Sequence, residues 1–526
     1  MQKCYNIFKI TKEKRIDILT NTICNHFQSY VQNAENIFDI MAAAYITLSP
    51  FEPSLSVIQD PILKDILSRF KEENNKFYAF DNLKEELIEW IYSQENMEHH
   101  VIRKKLFCII RLIDNKCIAD IKSSLPDSYI QYFSLNHMFQ NEISILPRFH
   151  SLAINALSNT IAKEDKYGFY GRNYSKTADI SGYLNNFIIY KKSKIKPSII
   201  HSNQHEEIRT EFEQKKHKLK IAVFPLSNIN IKNIFKTEED IVKTNGLFRV
   251  KSPIKEQENY IFERYKKALE ICRDQGVDIA VFPEMLLTKK IQDDIIDFIK
   301  TQEDKIRQFP WFIWLGTIWE KRENKCIVID QYGKIVFEQK KYVPYEYTKD
   351  STQKQTETKG KIKIREDLSH ESEWVVQFLD LPGFFRIATA ICRDISDEIL
   401  NATLKELYSN MLIIPAFSNT NRLQRHIDTL VREQIIVLVC NACSALCEKP
   451  KEMFEIDEQK IGENLTFCYL CMPAKSSEDN AADYYTAKFN YACKECSLHC
   501  KGFIWEIDFS KCIKKNARYS AKVEEM

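Results

Sequence analysis

Two textures of apolar patterning divide this chain. Over roughly the first 200 residues the apolar positions fall at helical spacing. Asp81-Asn82 can cap a helix whose Leu83, Leu87, Trp90 and Ile91 share one stripe, and Leu106, Phe107, Ile109, Ile110 and Ile113 continue the pattern. Pro50, Pro53, Pro61, Pro126 and Pro147 punctuate these segments. From Lys218 the texture changes to short apolar runs alternating with amphipathic ones. The runs Lys218–Pro225, Val277–Phe282, Trp311–Ile318, Trp374–Leu379, Phe385–Ile391, Met411–Pro415 and Ile435–Val439 predict strands. Between them, Glu256–Gln275, Ile291–Lys300, Ser396–Tyr408 and Gln424–Gln434 predict helices. Asp330-Gln331-Tyr332-Gly333 between Ile327–Ile329 and Lys334–Phe337 predicts a hairpin.

This mixture is α/β with hairpins, preceded by an all-α N-terminal domain. The expected domains are a helical one over 1–200, a charged linker or connecting helix over 201–217, an α/β domain over 218–512 and a tail over 513–526. Glycine sharpens the division. Only 11 glycines occur in 526 residues, none before Gly168 and eight from Gly246 onward. That scarcity excludes collagenous and glycine-rich phosphate-cradling architectures.

Charge and hydropathy exclude more. Lys+Arg 75 against Asp+Glu 73 gives +2, so no global field points to nucleic acid or a membrane. No apolar run reaches the ~18 residues of a membrane helix. The opening Met1-Gln2-Lys3-Cys4-Tyr5 leads to Lys12-Glu13-Lys14-Arg15 without an apolar signal core, so the expectation is a cytoplasmic protein. Its 16 cysteines then read as thiols, catalytic groups or metal ligands before disulfides, and ten lie from Cys392 onward. A local nucleic-acid surface is conceivable over 163–196, where Tyr167, Phe169, Tyr170, Arg172, Tyr174, Tyr183 and Tyr190 interleave with Lys191, Lys192 and Lys194. A plain domain junction containing Gly168, Gly171 and Gly182 is the favoured reading.

Three strand ends finish in reactive residues. Glu284 follows Val277–Phe282 and Pro283, Lys340-Lys341 closes the strand after Gly333, and Cys392 ends Phe385–Ile391 ahead of Arg393-Asp394. A thiol nucleophile needs a carboxylate to take its proton and return it to a leaving amine. An ammonium, with backbone N–H groups, stabilises the oxyanion of the intermediate. Cys392 at a strand-to-loop elbow suits that convergence.

In this order the segments resemble the carbon–nitrogen hydrolase, or nitrilase, superfamily. The residues carrying the resemblance are Val-Asp-Ile-Ala-Val-Phe-Pro-Glu (277–284), Asp-Gln-Tyr-Gly-Lys-Ile-Val (330–336) with Lys-Lys-Tyr-Val-Pro-Tyr-Glu (340–346), and Ala-Ile-Cys-Arg-Asp (390–394). Met-Leu-Ile-Ile-Pro-Ala (411–416), Val-Arg-Glu-Gln-Ile-Ile-Val-Leu-Val-Cys-Asn (431–441) and the strand Gly502 to Asp508 extend it over about 217–510. The resemblance implies a four-layer α-β-β-α sandwich, a Glu284–Lys341–Cys392 triad, and hydrolysis of a small amide or nitrile through a thioester or thioimidate. Its spacing from Gly333 favours Lys341, with Lys340 the alternative; neighbours on a strand face opposite ways, so only one serves. Glu346 corresponds to a supporting glutamate that positions the lysine, and Arg393 and Asp394 are candidates for substrate binding. The polar stretch Tyr347–Glu373 then reads as a lid over the substrate or a disordered loop. Homo-oligomers are expected, as is a cofactor-free mechanism.

The cysteines offer one further site. Cys440-x2-Cys443-x3-Cys447 and Cys493-x2-Cys496-x3-Cys500 share a spacing, with Cys468-x2-Cys471 between them. Candidate ligands of a structural zinc are Cys443, Cys447, Cys493, Cys496 and Cys500, against the simpler reading of reduced thiols. Two other functional classes stay open: a partner-activated effector or sensor of a defence or signalling system, and a non-catalytic binding scaffold.

Overall fold

A computed structural model of the chain describes residues 23–34, 37–48, 80–92, 99–116, 143–147, 187–191, 195–202, 204–226, 247–249, 255–302, 309–352, 359–369, 373–381, 385–407, 409–418, 423–432, 435–442, 466–473, 482–488, 502–509 and 520–525. These fall into two compact units, parted between 191 and 195.

In the first unit, residues 23–32 are helical and are followed by α1 (Ile37–Leu48), α2 (Phe80–Tyr92) and α3 (His99–Lys116). The stripe read from the sequence is the core: Leu87, Trp90 and Ile91 of α2 and Leu106, Phe107, Ile109, Ile110 and Ile113 of α3 are buried in one cluster with Phe27, Val31, Met41 and Tyr45. A buried cation closes α2. Lys105 Nζ donates to the Trp90 carbonyl at 2.7 Å and lies 4.5 Å from the centre of the Trp90 ring. The ammonium thus satisfies a last-turn carbonyl at the negative end of the helix. The unit is not all-helical, however. Strand β1 (Ile143–Pro147) pairs antiparallel with β2 (Phe187–Lys191), and Tyr190, counted above with the aromatic–basic surface, is buried in that pair.

The second unit carries β3 (Ile195–His201), β4 (Lys218–Val223), β5 (Leu247–Phe248), β6 (Ile279–Val281), β7 (Phe312–Glu320), β8 (Glu323–Asp330) and β9 (Ile335–Lys340). Further along lie β10 (Glu346–Thr352), β11 (Lys359–Glu366), β12 (Trp374–Leu381), β13 (Phe385–Thr389), β14 (Met411–Ala416) and β15 (Ile436–Asn441). Last come β16 (Thr466–Pro473), β17 (Ala482–Lys488), β18 (Phe503–Asp508) and β19 (Ser520–Glu525). Its helices are α4 (His205–Gln214), α5 (Lys255–Gln275), α6 (Lys289–Lys300), α7 (Glu398–Glu406) and α8 (Gln424–Arg432).

Two seven-stranded sheets dominate, ordered β19-β18-β4-β6-β7-β8-β9 and β17-β16-β15-β14-β13-β12-β3. Parallel pairs form the centre of each: β4 with β6 and β6 with β7, and β13 with β14 and β14 with β15. Such strands are buried on both faces, which is why Ile279–Val281, Met411–Ala416 and Ile436–Asn441 read as continuous apolar runs. On the first sheet, Ile261, Tyr265 and Leu269 of α5 and Ile291, Ile295 and Ile299 of α6 share a core with Ala222, Ala280 and Ile313. The two sheets touch through Trp314, whose indole N–H donates to Thr389 Oγ1 at 2.8 Å, and through Gln339, bonded to the Val375 carbonyl and the Gln377 amide.

The structure redraws several boundaries of the sequence expectation where a short apolar pattern sits inside a charged one. Of the two readings of 201–217 the structure has the helix: α4 buries Ile208 and Phe212, with the Phe212 ring 5.9 Å from Phe385 and 6.1 Å from Phe509. Ile195–His201, assigned to the helical domain, lies parallel to β12 in this unit's sheet. The supposed tail contributes β19, which supplies the open edge of β18 with backbone partners. The Tyr347–Glu373 stretch is not without structure. Its strands β10 and β11 pair antiparallel, and β11 runs parallel to β5 in a small third sheet.

Candidate active site

The chain delivers Glu284 from the end of β6. Phe282 N–H donates to the Trp314 carbonyl and extends the ladder, after which Pro283 stops it. Gly316 lets this turn lie flat against β7. Its φ is +84°, and a Cβ there would sit 2.1 Å from the Pro283 carbonyl oxygen. The β7–β8 register shifts between Trp314 and Thr317, and the displaced Thr317 accepts the Met285 N–H on Oγ1 at 2.8 Å. Across the sheet interface, Glu284 N–H reaches the Ala416 carbonyl of β14 at 3.4 Å. Both sheets therefore hold the glutamate.

Lys341 follows β9, its N–H donating to the Asn324 carbonyl at 2.8 Å. Strand parity separates the two candidate lysines. Lys340 points outward and pairs with Glu323, its side chain 37% exposed, whereas the Lys341 side chain is 1% exposed. Lys341 Nζ lies 2.8 Å from Glu284 Oε1 and 2.7 Å from Glu366 Oε2. Two of the three ammonium hydrogens are thereby committed.

Glu346 does not take the expected supporting place. Register explains why: β10 and β11 set Glu346 opposite Arg365, whose Nε is 3.4 Å from Glu346 Oε1. The next residue, Glu366, is carried by the base of the hairpin into the core beside Lys341. Glu366 also accepts the Tyr345 N–H at 3.0 Å and an Asn324 amide hydrogen at 3.2 Å. Asn324 gives a second amide hydrogen to Glu284 Oε1 at 2.8 Å. Neither Glu366 nor Asn324 was read from the sequence. Asn324 left a signal, a polar residue at an inward position of β8 on the same parity as buried Cys326 and Val328.

Cys392 ends the segment after β13 at a left-handed φ of 47°, a conformation costly for a side chain with a Cβ. The strained elbow starts the 3₁₀ turn Cys392–Ser396. Asp394 fixes it. Its Oδ1 accepts the N–H groups of Tyr342 and Val343 at 3.0 and 2.7 Å, and Oδ2 that of Ile391 at 3.2 Å. One carboxylate therefore ties the segment after Lys341 to the residue before Cys392. Arg393 Nη1 donates to the Glu346 carbonyl at 3.3 Å, joining the elbow to the small third sheet.

Electrostatics follow from burial. The Cys392 thiol is pushed far up, first by burial and then by Glu284, with Lys341 pulling the other way. It rests as the neutral thiol, so attack requires proton removal. Burial acts against charge on Lys341, but Glu284, Glu366 and Cys392 outweigh it and hold the ammonium well above its ordinary value. Glu284 is raised by burial, against the pull of Lys341 and with a push from Glu366. Its Oε1 carries both hydrogen bonds, while its buried Oε2 has no partner among the described residues.

Of the zinc candidates, Cys443, Cys447, Cys493, Cys496 and Cys500 lie outside the described residues, as does most of 163–196. Among the described residues no group of three or more His, Cys, Asp or Glu could hold a metal, and no helix is long and apolar enough to cross a membrane.

No family model matches the chain, and no curated protein matches it. Solved structures similar to it include nitrilase-superfamily proteins. One is Saccharomyces cerevisiae Nit3, a member of branch 10 of that superfamily, at 16% identity and a TM-score of 0.28, covering 43% of this chain and 75% of that one. Another is the amidase of Nesterenkonia sp., at 10% identity and a TM-score of 0.28, covering 42% and 75%. A mutant of the Nesterenkonia AN1 amidase is described as carrying the product of Michael addition of acrylamide at its active-site cysteine, at 9% identity and the same TM-score.

Proposed function

We propose that this chain hydrolyses a carbon–nitrogen bond of a small amide or nitrile, with Cys392 as nucleophile, Glu284 as general base and acid, and Lys341 as oxyanion donor. The second unit then reads as a four-layer α-β-β-α sandwich whose two sheets bring the three residues together. One observation carries the reading. Glu284 has one oxygen bound by Lys341 and Asn324 and the other buried without a partner among the described residues, and its charge acts on the proton affinity of the Cys392 thiol. A carboxylate in a purely structural ion pair has no reason to leave a buried oxygen unsatisfied.

The chemistry follows from the side chains. Glu284 Oε2 takes the thiol proton as Sγ bonds to the amide carbon, and the carbonyl electron pair moves onto oxygen. The third N–H of Lys341 and the backbone N–H groups of the Cys392 elbow stabilise that oxygen. Collapse breaks the C–N bond as Glu284 returns the proton to nitrogen, leaving a thioester and free ammonia or amine. Water, deprotonated by Glu284, attacks the thioester to give the acid, and the proton returns to sulfur. A nitrile enters by the same attack as a thioimidate.

The test is ammonia release from a panel of short amides and nitriles, with intact-mass detection of a Cys392 adduct. Release should vanish in Cys392→Ala and fall by about 10²-fold or more in Glu284→Gln. No ammonia and no adduct from any member would defeat the reading.

A further inference from the structure

Asn324, which the sequence did not single out, touches the lysine and both glutamates of the buried site. It is fully buried, and its carbonyl receives the Lys341 N–H at 2.8 Å. Its amide donates to Glu284 Oε1 at 2.8 Å and to Glu366 Oε1 at 3.2 Å. Both acceptors are carboxylate oxygens, so the side chain must present its NH₂ group to them; the flipped amide would set three oxygens against one another. The surroundings make those two hydrogens consequential. Lys341 and Glu366 are the charged groups acting on Glu284, and Glu284 in turn acts on Cys392 and Cys326; Asp394 lies within electrostatic reach of Lys341, and Tyr469 within reach of Cys392. Two buried carboxylates thus share one ammonium, and Asn324 is the neutral donor standing between them.

We propose that Asn324 is a positioning residue for the thiol chemistry. It clamps Glu284 Oε1 so that Oε2 remains the oxygen that faces proton transfer, and it holds Glu366 apart from Glu284 across the shared lysine. The inference rests on the reading of Glu284 as the base of Cys392. It assigns to Asn324 no contact with substrate. Its action is on the glutamate, through hydrogen bonds that exist before any substrate arrives.

Because the effect precedes substrate, it can be read without one. The measurement is the pH profile of Cys392 carbamidomethylation by iodoacetamide in the full chain, resolved by peptide mass spectrometry. In Glu284→Gln the Cys392 rate should fall near neutral pH, where the thiol needs a base to give up its proton; an unchanged rate there would defeat the base reading itself. With that slowing in place, Asn324→Ala should move the midpoint of the profile upward by about one pH unit, the weight of one hydrogen bond to a charged group. Asn324→Ser, which keeps one donor, should give a smaller upward shift and covers the case in which the alanine variant does not fold. A folded Asn324 variant whose profile superimposes on wild type, while Glu284→Gln is slowed, overturns the proposal and leaves the base reading intact. A variant that lowers the rate at every pH without moving the midpoint also overturns it, since that is the signature of packing alone.

Discussion

Gly316 is the position at which a single methyl group should separate fold from site. Its φ of +84° and its approach to Pro283 are both closed to other residues: a Cβ would stand 2.1 Å from the Pro283 carbonyl oxygen, whereas real Cβ contacts essentially never fall under 3.0 Å. In Gly316→Ala something must therefore yield by at least about 0.9 Å, the difference of those two distances. The atom in the way is backbone, and the residue after Pro283 is Glu284, so the displacement passes to the carboxylate. Left-handed strain of about 1–2 kcal/mol and overpacking of about 1–3 kcal/mol sum to about 2–5 kcal/mol of lost stability. A shift of about 1 Å at a catalytic group costs on the order of 10²-fold in rate. Gly276→Ala is the matched control. Its φ is +62°, but nothing lies within 4 Å of the added carbon, so it should lose only the strain, about 1–2 kcal/mol. Denaturant titration gives the stabilities, and the iodoacetamide rate at Cys392 reports the site. The reasoning fails if the two variants lose equal stability, or if Gly316→Ala keeps the wild-type Cys392 rate.

Burial of charge elsewhere in the chain and at Lys341 yields further outcomes. Asp394 is raised from 3.8 to about 7 by burial, against its N–H donors and Lys341, and Asp278 to about 6 by burial, against Lys215. Between the unfolded and folded values the folded chain keeps protons the unfolded chain has lost, so stability should decline as pH rises from about 4 to about 7. Thermal melts across that window check it, and a rising melting temperature contradicts it. Arg386 and Asp380 form a buried bidentate pair at 2.8 Å, with Arg386 also donating to the Leu407 carbonyl. Arg386→Met should cost about 3–5 kcal/mol by stranding Asp380, and Arg386→Met with Asp380→Leu appreciably less; equal losses in a denaturant titration would refute this. Lys341→Met should likewise destabilise by about 3–5 kcal/mol, since it leaves Glu284 and Glu366 facing each other, while Cys392→Ala changes stability little.

What could be read from the sequence, and what could not, divides along one physical line. Glu284, Lys341 and Cys392 stand next to apolar runs that declare buried strands, so each is placed by the element before it. Strand parity then sends Lys341 inward and Lys340 to Glu323, as alternation requires. Glu366 has no such marker. It closes a hairpin between two polar edges, and only the pairing of Glu346 with Arg365 decides which glutamate returns to the lysine. A slip of one residue would have faced Glu366 outward, and register of that kind is set by contacts made in three dimensions. The mistaken boundaries have the same origin. Ile208 and Phe212 of α4 are two apolar residues in a charged run, too few to decide between a linker and a packed helix, yet they are buried, with Phe212 against Phe385 and Phe509. Asn324 lies on the line itself, since inward parity was visible and its partners were not. A polar residue at an inward strand position is therefore the sequence mark most worth following here. Its cost in the core is repaid only by partners of fixed geometry, and in this chain those partners are the two glutamates on either side of Lys341.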